Sequence, residues 1–268
     1  MTATTATSAR DIPRTRPDRA RGIVQSELAA AIALLRTLQP DDWRRSTACP
    51  GWTVHDVVAH MIGQAEELAR PDRLIHRVRD ARRRPGAGIL DAHNDRQVRD
   101  RSATPDGQLA ADLERWTTKA VRAARLIPGP VRRRTRLSLV FPEAKGLPED
   151  TFDYLLRVLM ARDPWMHRLD IAAATGRTPT LDRHDALIVE QVVHDIGLAW
   201  TGPPVGLDLS GPAGGRWILG ARRPPVAAVR GDAVEYMRYV SGRASDRQPT
   251  ADGDPDVAAA ALAVRVDF

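Results

Sequence analysis

The chain has a single cysteine, Cys49. An internal disulfide is therefore excluded, and the usage fits a reducing cytoplasm, which is the expected location. Aromatic residues make up only 4% of the chain, and the six tryptophans read as core and packing residues rather than a cofactor box. Lysine is nearly missing: two of the 40 basic residues are lysine. With abundant alanine and aspartate, this bias suits a GC-rich bacterial genome, so richness in arginine is not by itself a functional signal. No apolar run approaches the ~20 residues a membrane span needs, and no membrane insertion is expected. The opening MTATTATSARDIPRTRPD lacks the apolar centre of a secretory leader, and residues 1–17 read as a disordered tail.

What remains is 268 residues, 43% of them hydrophobic, enough for one large domain or two modest ones. The net charge is +6. The densest basic stretches, RLIHRVRDARRRP (73–85) and VRRRTR (131–136), are broken by acids or lie beside loops. A solvated face or a small-anion site fits them better than a nucleic-acid surface, whose affinity would fall steeply with salt. Nucleic acid is not an expected partner.

Apolar residues recur at helical spacing from Arg19 to Leu38, through Ile23, Leu28, Ala31, Leu34, Leu35 and Leu38. After Pro50-Gly51, Thr53 and Asp56 have capping-box spacing, and Trp52 and Val57 can form a hydrophobic staple. The next helix carries the stripe Val54, Val57, Val58, Met61, Ile62, Ala65, Leu68, and Pro71 bends or ends it. A third helix is expected from about Thr104 to Ile127 and a fourth from about Glu149 to Gly176. Four such helices make a bundle over 18–178. Beyond it, 179–268 changes character: a helix from Asp185 to Trp200, strands in GLDLSGPAGGRWIL and PPVAAVR, the helix AVEYMRYV, and strand-like alternation in LAVRVDF. The expected class is α+β, a helical bundle followed by a smaller α+β domain.

The fourth helix carries the chemistry. Its inward stripe runs Leu156, Leu159, Met160, Asp163, His167, Asp170. Asp163 and His167 occupy adjacent turns of one face where apolar residues are expected, and burying them without partners would cost several kcal/mol. A divalent metal would satisfy both, and His60, on the edge of the second helix's stripe, is the best-placed third ligand, leaving one coordination position open. The alternatives are an Asp163–His167 pair, an ion pair of Asp163 with Arg162 or Arg168, or Asp163 capping a helix restarted at Pro164.

CPGWTVHDVVAHMIG followed about 100 residues later by RDPWMHRLDIAAATG resembles the mycothiol-dependent maleylpyruvate isomerase family, within the DinB/YfiT-like group of metal-binding four-helix proteins. GDAVEYMRYVSGR resembles that family's C-terminal domain, which is similar to sterol-carrier folds. The resemblance implies metal ligands at His60, Asp163 and His167, with Asp163 standing where a Glu is expected and Pro164 an unexpected neighbour. It implies a substrate-activating arginine at Arg243, with Arg230 as runner-up. It also implies a divalent metal, most simply Zn2+, and mycothiol as thiol cosubstrate. The implied activity is isomerisation by thiolate addition, rotation and elimination, or S-transfer, on a small electrophilic, anionic molecule. The alternative is a non-catalytic metal- or ligand-binding protein of the same fold. The chain is expected to be a monomer or homodimer.

Other candidates rank below these. Cys49, in the CPGW turn, has no evident base partner and reads as structural. His55 reads as exposed, His76, His93 and His184 as lying in charged surroundings, and His194 as a core-packing residue or one linked to the neighbours of Asp195. Trp165 is close enough in sequence to line the site.

Overall fold

The computed structural model describes residues 6–84, 86, 88–245 and 247–268. The chain divides into two compact units, Pro17–Thr180 and a second one formed by Leu181–Phe268 with the described residues up to Arg16.

The first unit is helical. Its long helices are α1 (Pro17–Leu35), α2 (Val54–Ala69), α5 (Asp106–Leu126) and α8 (Met160–Ala174). They pack as α2 on α5, α1 on α8, α1 on α5 and α2 on α8, which closes a four-helix bundle. The apolar spacing explains the packing. Val54, Val57, Val58, Met61 and Ile62 of α2 meet Leu109 and Leu113 of α5, Ala31, Ile32 and Leu35 of α1, and Ile171 of α8 in one buried core. Each such side chain contributes about 1.5–3 kcal/mol by leaving water. The start of α2 is set locally: Thr53 and Asp56 form the reciprocal capping box. Its end is set by Pro71, which opens a new helix, α3 (Pro71–Ala81), instead of bending the old one.

The sequence reading leaves 71–99 without helices, yet α3 and α4 (Ile89–Arg99) cover one side of α2. Val78 and Ala81 of α3 and Ala92 of α4 are buried, and a network of charges links both helices to α2. Arg77 is 1% exposed and donates to Glu66 at 2.6 Å, Glu67 at 2.8 Å and Asp100 at 2.9 Å. Arg101 joins Glu66 at 2.7 Å, and His93 lies 3.0 Å from Glu67. The basic stretch 73–85 thus turns one arginine inward. The remaining short helices are α6 (Gly129–Arg134) and α7 (Phe152–Tyr154), the latter joined to α8 by a π-helical segment, Leu155–Leu159.

The second unit has α9 (Arg183–Ala199), opened by a capping box between Asp182 and Asp185, and a five-stranded sheet. Its strands are β1 (Thr7–Ser8), β2 (Val205–Ser210), β3 (Gly215–Leu219), β4 (Ala227–Asp232) and β5 (Thr250–Gly253), in the order β1-β3-β2-β4-β5. β2 runs antiparallel to β3 and parallel to β4. Val205, Leu207 and Leu209 alternate inward as a half-buried strand requires. Asp232 caps α10 (Ala233–Val240), and Asp254-Pro255 starts α11 (Pro255–Leu262).

Two expectations need correction here. The proposed tail over 1–17 is structured from Thr7 onward, its first five residues lying outside the described ones. β1 pairs with β3 in parallel, and Arg10 donates to the carbonyls of Gly197 at 2.8 Å and Trp200 at 2.6 Å, at the C-terminal end of α9. Gly197 is essential to this fit, because a Cβ there would lie 2.6 Å from Ala9 Cβ. Polar composition alone misses such a segment, whose order comes from another element's unsatisfied carbonyls. The alternating LAVRVDF forms no strand: Asp-Pro nucleates α11 across its beginning, and the residues after Leu262 join no sheet.

Candidate metal centre

His60 lies on the second turn of α2, and its ring is fully enclosed. Its Nδ1 is 2.7 Å from Gln97 Oε1 of α4. An amide oxygen only accepts, so Nδ1 carries the proton and donates it, leaving the Nε2 lone pair to face inward. Gln64 Nε2, one turn along α2, lies 3.0 Å from that lone pair. Close docking of α4 makes the first bond possible: a Cβ on Gly63 would sit 2.6 Å from Gln97 Cβ.

Asp163 and His167 come from α8. Pro164 lies inside that helix and does not restart it, so Asp163 is not a cap. A mid-helix proline removes a backbone donor and crowds the preceding turn. A π-helical segment, Leu155–Leu159, precedes it and changes the angular phase of the residues after it. The structure brings the three residues together. Asp163 Oδ2 lies 3.9 Å from His60 Nε2, and Asp163 Oδ1 lies 3.6 Å from His167 Nε2. The two imidazole rings meet edge to face, 5.1 Å between centroids. One donor atom from each residue falls within 4.8 Å of the other two. Arg168, an alternative partner for Asp163, is instead buried against Glu27 of α1, at 2.8 and 3.0 Å.

The electrostatics of the two histidines diverge. Burial pushes His60 down to about 4, against the pull of Asp163, so its ring is neutral. Burial opposes charge on His167 too, but Asp163 and Asp170 outweigh it and raise that ring to about 10. Asp163 Oδ2 is buried and has no hydrogen-bond partner among the described residues. An orphaned carboxylate oxygen facing a neutral imidazole lone pair is a site that wants a cation. Two imidazoles and a carboxylate form a donor set suited to zinc and other borderline divalent ions.

Sequence reasoning missed three participants. Gln97 left no local signal, since α4 reaches His60 only through tertiary packing. Asp170 stands three residues after His167, and its Oδ2 lies 3.4 Å from His167 Nδ1; its spacing was a usable signal. Cys49, read as lacking a base partner, is corrected: its Sγ lies 3.8 Å from His167 Nδ1 and donates to Asp170 Oδ2 at 3.6 Å. His55 is half-buried rather than exposed, held by Asp106 at 2.7 Å and by the Arg101 carbonyl at 3.2 Å, so both ring nitrogens are engaged. Trp165 is fully buried. Arg243 follows α10 in the second unit, just past the left-handed Gly242 that ends that helix, and Arg230 on β4 pairs with Asp252 of β5.

Fold and geometry together define a class: an α+β protein whose helical unit clusters two histidines and a carboxylate in position for a divalent cation. A model of the mycothiol maleylpyruvate isomerase N-terminal domain matches residues 24–172, and the chain belongs to that family. Among solved structures, the crystal structure of the mycothiol-dependent maleylpyruvate isomerase is similar over 92% of this chain and 97% of that one, with 18% identity and a TM-score of 0.60. A histidine-to-alanine mutant of that isomerase matches over the same shares with a TM-score of 0.59. At this identity the likeness establishes the α+β fold. A search of curated proteins finds no match.

Proposed function

We propose that the chain is a metal-dependent enzyme that uses mycothiol to isomerise, or to transfer sulfur to, a small anionic electrophile. His60 Nε2, His167 Nε2 and an oxygen of Asp163 hold the divalent cation, most simply Zn2+. The observation that carries this reading is the unpartnered Asp163 Oδ2, 3.9 Å from an imidazole nitrogen whose opposite side is already fixed. Family membership supplies the thiol.

When bound, such a cation lowers the pKa of a coordinating thiol into the neutral range. The chain's own residues prepare for it. Gln97 locks the tautomer and orientation of His60, a role whose removal costs metal sites about 10–100-fold in affinity. Gln64 lies 3.0 Å from the inward lone pair and would give it up to a bound cation. Asp163 supplies the anionic ligand, shorter by one methylene than a glutamate and carried on a helix rephased by its π-segment. Three protein ligands leave a coordination position for the cosubstrate. Arg243 is assigned to the substrate's carboxylate or to the enolate charge that develops as sulfur adds.

The test is metal analysis combined with turnover of unsaturated keto acids in the presence of mycothiol. Wild type should carry a stoichiometric divalent metal and show thiol-dependent conversion. His60→Ala should lose the metal of this centre and the conversion while keeping its circular dichroism spectrum. Full metal occupancy in His60→Ala would overturn the ligand assignment. Metal without conversion of any such electrophile would favour a binding protein of the same fold.

A further inference from the structure

We infer that this chain has a second cation site, built by Cys49, His167 and Asp170 on the opposite edge of the His167 ring. It rests on the proposed metal centre only in sharing His167: the first site uses Nε2, the second Nδ1.

Sγ of Cys49, Nδ1 of His167 and Oδ2 of Asp170 form a triangle with sides of 3.8, 3.4 and 3.6 Å. Metal–ligand bonds of about 2.3 Å to sulfur and about 2.1 Å to nitrogen and oxygen, at tetrahedral angles, place such donors about 3.3–3.6 Å apart. The triangle is thus close to one face of a zinc tetrahedron. It is wide for a hydrogen-bonded pair: a buried imidazolium and carboxylate normally close to about 2.8 Å, whereas these stand at 3.4 Å. Asp170 is 0% exposed and His167 is buried, so the two are built-in groups rather than surface side chains.

The third donor arrives by a different device. Cys49 sits in a turn that the left-handed Gly51 makes possible, closed by the Trp52 amide donating to the Cys49 carbonyl at 3.0 Å. The turn presents the thiol to the exposed end of the triangle, since Cys49 itself is only half-buried. Cys49 is thus the donor through which a cation would reach the two buried ones. A thiolate, an imidazole nitrogen and one carboxylate oxygen favour a thiophilic divalent ion such as zinc over magnesium or calcium. On binding, the Cys49 thiol proton and the His167 Nδ1 proton leave to solvent, and the His167 ring bridges the two cations.

The probe is Co(II), titrated into the metal-free full-length protein. A thiolate ligand produces an intense near-ultraviolet charge-transfer band, and histidine and carboxylate ligands produce only visible ligand-field bands. The near-ultraviolet band is expected in wild type, at undiminished intensity in His60→Ala, and to be absent in Cys49→Ser, which should still take the first equivalent. Wild type without the band at saturating cobalt overturns the second site. So does a band that disappears in His60→Ala, because the thiol would then belong to a single shared cation. If His60→Ala keeps the full visible spectrum, the first-site assignment fails while the near-ultraviolet band still decides this one. A measurement without variants addresses the same point: zinc should slow alkylation of Cys49 by iodoacetamide roughly tenfold or more, as ligation withdraws the thiolate from attack, and an unchanged rate overturns the site.

Discussion

Two buried polar clusters flank α2, and they are built in opposite ways. Around Arg77, each carboxylate meets a guanidinium: Glu66 has Arg77 and Arg101, Glu67 has Arg77, and Asp100 has Arg77 and Arg96. Around His60, a neutral imidazole and the His167 imidazolium meet the carboxylates of Asp163 and Asp170, and one oxygen of Asp163 has no hydrogen-bond partner among the described residues. The first cluster is electrostatically complete and joins α2 to α3 and α4. The second still holds an unsatisfied carboxylate oxygen. Breaking one partner of a finished buried pair strands a charge and costs a great deal, whereas altering an unfinished cluster costs little until its ligand is supplied. The Arg77 cluster is thus the finished one, and the His60 cluster, where we propose the metal, the unfinished one.

The largest effect expected from breaking this contrast comes from Arg77→Met. It removes the guanidinium shared by Glu66, Glu67 and Asp100 in a buried site and should cost about 3–5 kcal/mol, read as a shift in the urea unfolding midpoint. A loss below about 1 kcal/mol, the range of an exposed pair, would show that the network is ornamental.

Acid comes next. Burial alone would raise Glu66, Glu67 and Asp100, but their partners more than compensate: Arg101 and Arg77 for Glu66, His93 and Arg77 for Glu67, Arg77 and Arg96 for Asp100. All three carboxyls lie below their ordinary values. The unfolded chain therefore binds protons first, so the stability these groups contribute is present above about pH 4.5 and is lost as pH falls through the lowered folded values. Wild type should lose stability through that window, and Arg77→Met should show a flatter profile. Parallel profiles would remove the carboxylates from the account.

Gly63→Ala probes the link between the clusters. Its new methyl would press on Gln97, forcing α4 outward at a cost of about 1–3 kcal/mol, and the hydrogen bond that fixes His60 would lengthen. Metal affinity should fall together with stability; a stability loss with unchanged affinity would sever Gln97 from the centre. The smallest stability change belongs to Asp163→Asn. It should destabilise the metal-free protein less than Arg77→Met, because Asp170 still pairs with the His167 ring, while weakening metal binding at least roughly tenfold. A metal-free protein as damaged as Arg77→Met would erase the distinction between the two clusters.

Much of the helical unit is legible in the sequence. The stripe from Val54 to Ala65, the Thr53–Asp56 capping box and the stop at Pro71 are local facts, and each has its counterpart in α2. Four-residue spacing places Asp163 and His167 on one face of a helix. The resemblance carried by CPGWTVHDVVAHMIG and RDPWMHRLDIAAATG leads to the family to which the chain belongs. The N-terminal segment is illegible because β1 has no apolar signature of its own; its order is borrowed from β3 and α9. The alternation in LAVRVDF misleads because it says nothing about whether a partner edge is available.

By itself, then, the amino-acid order determined which residues repeat at 3.6-residue intervals, where helices begin, and which polar side chains interrupt apolar faces, since backbone geometry and capping act over a few residues. Only the tertiary structure decided that Gln97 would orient His60, that a π-helical segment would rephase the helix ahead of Asp163, and that Cys49 would meet His167 and Asp170 from over a hundred residues away. Those meetings depend on how closely whole helices approach, and close approach is a property of the packed core, not of any short stretch that enters it.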